Sequence, residues 1–252
     1  MMVRVEPDDR QLDGPLGRLS PLTKLAIALG WLVGLTTTTA LAPPLALAAV
    51  AVAAGLTLGR IPIRALIRGA APLWLAAFGV GLFNTMFAAA NVDPAAAELA
   101  RIGPLRLTEA GLAGGIGLAA RIVAIAVVGV VFAQTTDSTR LVDALVQHAR
   151  VPDRFAYGAL AAYQAVPRLS LDLTGLREAR RLRGLRSSVH PRLLVGLLVL
   201  AIRHGDRMAL AMDARGFGSG PRTAFRTVRW APADAVALVI AAAGLAGALR
   251  LA

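Results

Sequence analysis

Apolar runs broken by short polar stretches fill the first half of the chain, and a basic, polar block follows from Gln134 to Trp230. Leu25–Ala42 is the first run, introduced by Arg18 and Lys24 and broken by Pro43-Pro44. Leu45–Leu58 follows and is short for a bilayer, which needs about 20 apolar residues, so these two read as a tilted hairpin. Arg60, Arg64 and Arg68 come next, spaced as if on one helical face. Ala70–Ala90 is the third span, and Gly111–Ala133 the fourth. Between them, residues 91–110 carry Asp93, Glu98 and Glu109 against Arg101 and Arg106, which reads as an external loop of net charge −1. Asp234–Leu249 is the last span.

The block between the fourth and last spans has helical punctuation of its own. Asp137 or Ser138 can cap a short helix, Thr139–Ala149. Pro152 suits the first turn of a longer one running to about Leu182, with a kink at Pro167. The second half of that helix and the residues after it carry arginines at 168, 177, 180, 181, 183 and 186. Pro191 restarts a helix that is apolar through Ile202 and is then interrupted by Arg203, Asp206, Arg207 and Asp213. Ten apolar residues do not cross a bilayer, so this helix is expected to lie under the membrane. Gly216 ends it, because glycine readily takes the left-handed conformation at a helix C-terminus. Both long helices therefore end in Arg-Gly, at Arg183-Gly184 and at Arg215-Gly216.

Composition strengthens the membrane reading. The 252 residues are 56% hydrophobic, above the roughly 45–50% of soluble domains. Aromatics are only 5%, so small apolar residues dominate and let helices approach closely in lipid. The net charge of +12 is almost all arginine, since Lys24 is the only lysine. Sixteen of the 27 basic residues fall between Arg140 and Arg229, against six acidic ones, which marks a cytoplasmic membrane face rather than a nucleic-acid surface. The polar first 20 residues lack a signal-peptide core, and the N-terminus is expected to stay in the cytoplasm.

No chemistry of its own can be assigned to the chain. Without cysteine, disulfides, thiolate metal sites and cysteine nucleophiles are excluded. His148, His190 and His204 are scattered, with no carboxylate at metal-ligand spacing, so no metal site and no cofactor are assigned. Gly216-Phe217-Gly218-Ser219-Gly220 follows a helix rather than a strand and has no Walker lysine, so it reads as a linker. Arg121, near the middle of the fourth span, reads as paired or snorkelling toward the bundle interior rather than lining a transport path. Gly111 and Gly115 are spaced for a close helix contact.

Ordered along most of the chain are Leu19-Ser-Pro-Leu-Thr-Lys-Leu25, Thr135-Thr136-Asp137-Ser138-Thr139-Arg140-Leu141-Val142-Asp143-Ala144-Leu145, Val151-Pro152, Val166-Pro167-Arg168 and Ala209-Leu-Ala-Met-Asp-Ala-Arg-Gly-Phe217. In that order and spacing the chain resembles the transmembrane T component of energy-coupling factor (ECF) transporters, which includes cobalt-transporter permease subunits. One signature departs from the pattern: Leu182-Arg183-Gly184 stands where Ala-Arg-Gly is usual. The resemblance implies two coupling helices that bridge two cytoplasmic ABC-type ATPases and a substrate-binding membrane protein, the S component. Arg183 and Gly184 would meet one ATPase, and Ala214, Arg215 and Gly216 the other. The apolar stretches Leu160–Val166 and Leu193–Leu200 would hold the S component, for vitamin or metal-ion uptake.

The expected fold is all-α, a multi-pass protein of the cell membrane with about five transmembrane helices and a cytoplasmic block of coupling helices. Residues 1–134 form the N-terminal membrane domain with about four spans, 135–230 the coupling domain, and 231–252 the last span. The chain is expected not to be an enzyme, ATP hydrolysis falling to its partners. The alternatives are a membrane-embedded enzyme acting on lipid or prenyl substrates, and an S component or solitary carrier. The first needs clustered aspartates, yet Asp206 and Asp213 are seven apart and flanked by arginines. The second predicts little cytoplasmic structure.

Overall fold

The computed structural model describes residues 9–38, 40–93, 96–102, 105–185, 190–220, 223–224 and 226–251. Two short helices, α1 (Asp9–Leu12) and α2 (Pro15–Arg18), precede α3 (Pro21–Thr36), α4 (Ala42–Thr57) and α5 (Ile63–Phe87). A 3₁₀ turn, Ala89–Val92, leads to strands β1 (Glu98–Ile102) and β2 (Leu105–Thr108). The remaining helices are α6 (Glu109–Thr135), α7 (Ser138–Ala149), α8 (Asp153–Leu182), α9 (Pro191–Ala214) and α10 (Pro232–Leu249). The chain divides into two compact units, residues 1–141 with 229–252, and residues 142–228.

In the first unit α6 is the central helix, lying against α5 along most of its length and against α4 and α3. Small residues set the separation of α5 and α6. A methyl group at Gly115 would run into the Thr85 side chain and the Gly81 carbonyl, and one at Gly81 would meet Ala119. The expected close contact at Gly115 is therefore present. Gly34 likewise admits Leu245 of α10 to α3, and Gly55 admits Val131 of α6 to α4. The core between them comprises Trp31, Leu35, Leu47, Ala51, Leu66, Ala124, Val127 and Val131, with Ala241 and Ala248 from α10. The Trp31 indole donates to the Ala241 carbonyl at 3.0 Å, which satisfies its one polar atom inside the bundle.

Among the described residues, three helices are long and apolar enough to cross a membrane: the segment 63–92 containing α5, then α6 and α10. The other two of the about five expected spans fall on α3 and α4, apolar helices of 16 residues each. Leu75, Phe78, Phe83, Val239 and Ile240 are exposed on α5 and α10, as side chains facing lipid tails would be.

Two local readings change. α4 lies chiefly on α6 and touches α3 little, so the two do not make the hairpin their sequence order suggests. Arg60 precedes α5 in a left-handed turn (φ 51°), leaving only Arg64 and Arg68 on the helix. The external loop contains an antiparallel hairpin, β1 with β2, closed by an Arg106–Glu98 ion pair at 3.0 Å. Its neighbour Asn91 is a buried hub: its side chain accepts from the Thr108 amide and hydroxyl and donates to the Thr85 and Met86 carbonyls. Arg121 is paired, as expected: it donates to the Thr38 carbonyl.

Candidate functional site

The second unit is built from most of α7 together with α8 and α9. Leu176 of α8 lies over Gly196 of α9, where the absent side chain leaves room. Arg154, near the start of α8, donates from Nη2 to the Gly218 carbonyl beyond the end of α9, at 2.9 Å. Residues late in α8 thus meet residues early in α9, and the reverse, so the two helices run antiparallel. Each begins where proline is tolerated, and His190 caps α9 by accepting from the Arg192 amide. Pro167 lies inside α8.

Both helices end in the same way. On α8 the Gly184 amide donates to the Arg181 carbonyl at 3.0 Å and the Leu185 amide to the Arg180 carbonyl at 3.2 Å. On α9 the Gly216 amide donates to Asp213 at 2.8 Å and the Phe217 amide to Met212 at 2.9 Å. This pair of bonds, closing six and four residues, is the Schellman turn, and it requires a left-handed residue just past the helix. Gly184 (φ 72°) and Gly216 (φ 66°) supply it. Arg183 and Arg215 occupy the position before each glycine, with nearly equal backbone angles (φ −84°, ψ 11° and φ −92°, ψ 9°). Each sits at the carbonyl end of its helix, where a cation is favoured. Leu182, Arg183, Gly184, Ala214 and Arg215 are all exposed, and Gly216 is half-buried.

The turn geometry brings arginine, glycine and the preceding residue together at each end, but it does not bring the two ends together. At 1.5 Å per residue the 30 residues of α8 extend about 45 Å. Arg215 lies near its start and Arg183 at its finish, so the two guanidinium groups stand on the order of 40 Å apart. Arg186, the last of the arginine run, lies outside the described residues.

Other side chains that hold this unit were not singled out by sequence. Asp143 and Gln147, four apart on one face of α7, hold α8 and the linker to α10. Tyr157 of α8 donates to Asp143 at 2.8 Å. Burial, and then this carboxylate, push the Tyr157 hydroxyl up to about 12, so it stays a donor. Gln147 donates to the Arg226 carbonyl at 2.7 Å and accepts from the Val228 amide at 3.0 Å. The i, i+4 spacing of Asp143 and Gln147 on one face of this amphipathic helix was the available signal. Of the apolar stretches assigned to an S component, Leu160 and Leu193 are buried, while Tyr163, Val166, Leu194, Val195, Leu198 and Val199 are exposed.

The sequence profile of the cobalt transport protein family matches residues 14–225. An energy-coupling factor transporter transmembrane protein of Heliobacterium modesticaldum is 28% identical over 258 residues, covering 93% of this chain and 91% of its own. Its counterpart in Listeria innocua is 27% identical over 210 residues, 75% and 76% of the two chains. That of Bacillus subtilis is 26% identical over 208 residues, 74% and 76% of the two chains. Apolar helices, small-residue packing and a match along most of the length agree: the chain belongs to the cobalt transport protein family and is a multi-pass membrane T component of the energy-coupling factor type.

Proposed function

We propose that this T component links two cytoplasmic ABC-type ATPases to a membrane S component and passes nucleotide-driven motion between them. The observation that carries the reading is the pair of matching helix ends. Arg183 and Gly184 dock in a groove of one ATPase, and Ala214, Arg215 and Gly216 in a groove of the other. Each guanidinium offers several charge-assisted hydrogen bonds to an acidic or carbonyl-rich groove. Each glycine turns the backbone sharply away, so the helix end enters without a following side chain in the path. A separation on the order of 40 Å suits two partners rather than one.

The residues between the two ends face the cytoplasm in this reading, consistent with their basic excess. The exposed apolar residues of α8 and α9 meet the S component, which selects the vitamin or metal ion carried. ATP hydrolysis belongs to the ATPases. Coexpression with candidate ATPases and purification from membranes tests the docking. The single variants Arg183→Glu and Arg215→Glu each lose one ATPase, and the double variant loses both. Full ATPase association in the double variant would overturn the model.

A further inference from the structure

The stretches that open α3 and α7 lie more than 100 residues apart in sequence and meet in the first unit, around the one lysine of the chain. The Lys24 ammonium donates to the Thr135 carbonyl, the last residue of α6. A helix C-terminus leaves carbonyls without partners and carries partial negative charge, so an ammonium there is favoured on both counts. Lys24 is only 7% exposed, and Thr23 and Thr135 beside it are fully buried. In a chain where 26 of 27 basic residues are arginine, this nearly closed position beside the Thr135 carbonyl holds the compact cation.

The same cluster fixes the neighbouring helix starts. Asp234, 1% exposed, accepts from the Ser20 amide at 2.7 Å and from the Ala231 amide at 2.8 Å. It thereby ties the first turn of α10 to the first turn of α3. Asp137 accepts from the Thr139 and Arg140 amides at the start of α7, and Arg140 reaches the Gly17 carbonyl. Two carboxylates and two cations balance in charge, as groups withdrawn from water require. The two-residue bend between α6 and α7, Thr136-Asp137, is therefore held on one side by Lys24 and on the other by the Asp137 cap.

We propose that Lys24 is a positioning residue for coupling: its ammonium pins the end of α6, so that the bend at Thr136-Asp137 and the first turn of α7 are held in the first unit. This rests on the reading under Proposed function, since a lever transmits force only if its root does not swivel. Removing the ammonium leaves the last α6 carbonyl without its donor and the cluster with an uncompensated negative charge.

The absence of cysteine permits a direct test on the full chain, with spin labels at Ile63→Cys on α5 and Leu141→Cys in the first turn of α7, both in the first unit. In lipid nanodiscs the pair gives a narrow distance distribution, and Lys24→Met broadens it at least twofold. Equal widths in parent and variant would overturn the anchor. Should the methionine variant not be recovered from membranes, Lys24→Arg decides. A guanidinium keeps the charge but not the compact ammonium of this nearly closed position, so broadening supports the anchor and an unchanged width refutes it. In the transporter assembled with its ATPases and S component, Lys24→Met keeps ATP hydrolysis within about twofold while uptake per ATP falls about tenfold. A fall in both alike marks a merely structural role and counts against the proposal. If no ATPase copurifies with the parent chain, the functional reading fails, and the distance measurement still decides the anchor by itself.

Discussion

At the end of α8, Leu182 is 90% exposed and a methyl group on Gly184 would meet no atom within 4 Å, whereas the end of α9 is braced. There the Ser219 hydroxyl donates to the Gly216 carbonyl, and Arg154 holds the Gly218 carbonyl from the opposite helix. The two backbones match bond for bond, yet one is supported by the rest of the unit and the other, among the described residues, only by its own turn. Identical local geometry thus does not make two equivalent ends. If both ends dock as proposed, the braced one is preformed for its partner and the other is held by fewer contacts.

The largest effect that would break this contrast is expected at Gly218. Its φ of 79° is in the left-handed region, and a side chain there would strike the Arg154 guanidinium. Left-handed strain alone costs a bulky residue roughly 1–2 kcal/mol. Gly218→Val should therefore speed amide exchange at residues 216–219 about tenfold or more, with no change at residues 183–185. Unchanged exchange at 216–219 would remove the brace from the argument. Next in size are Gly184→Ala and Gly216→Ala, each costing roughly 1 kcal/mol in left-handed strain. Because the turns match, the Leu185 and Phe217 amides should each exchange about fivefold faster. A large inequality between them would show that the brace, not the turn, sets the end of α9. The smallest expected effect is Leu182→Ala, within about 0.5 kcal/mol in thermal unfolding because the side chain is almost wholly in solvent. Its consequence belongs to association, where a pull-down with each ATPase would reveal whether leucine alters the fit of that end alone.

What could be read from sequence was whatever is decided within a few residues. The limits of α8 and α9 follow from Pro152, Pro191, Gly184 and Gly216, and each of these acts on its own turn of helix. The small-residue contact at Gly115 was also legible, because glycine on an apolar helix has few other uses. The hairpin of β1 and β2 was not recognised, although Gly103-Pro104 between alternating apolar residues is a turn signal. The acidic balance of that loop drew attention to charge instead of pattern. Arg60 was placed with Arg64 and Arg68 by spacing, but the chain turns left-handed at Arg60 before α5 begins. The Arg154–Gly218 and Lys24–Thr135 contacts span 64 and 111 positions. Nothing local announces which carbonyl a distant cation will find.

The approach of α5 to α6 at Gly81 and Gly115 has a further meaning for the stiffness of the first unit. The Gly115 backbone faces the Gly81 carbonyl there, and the Thr85 side chain and the Ala119 methyl fill the space beside them. Packed that closely, the seam serves as a stiff post against which other parts can push.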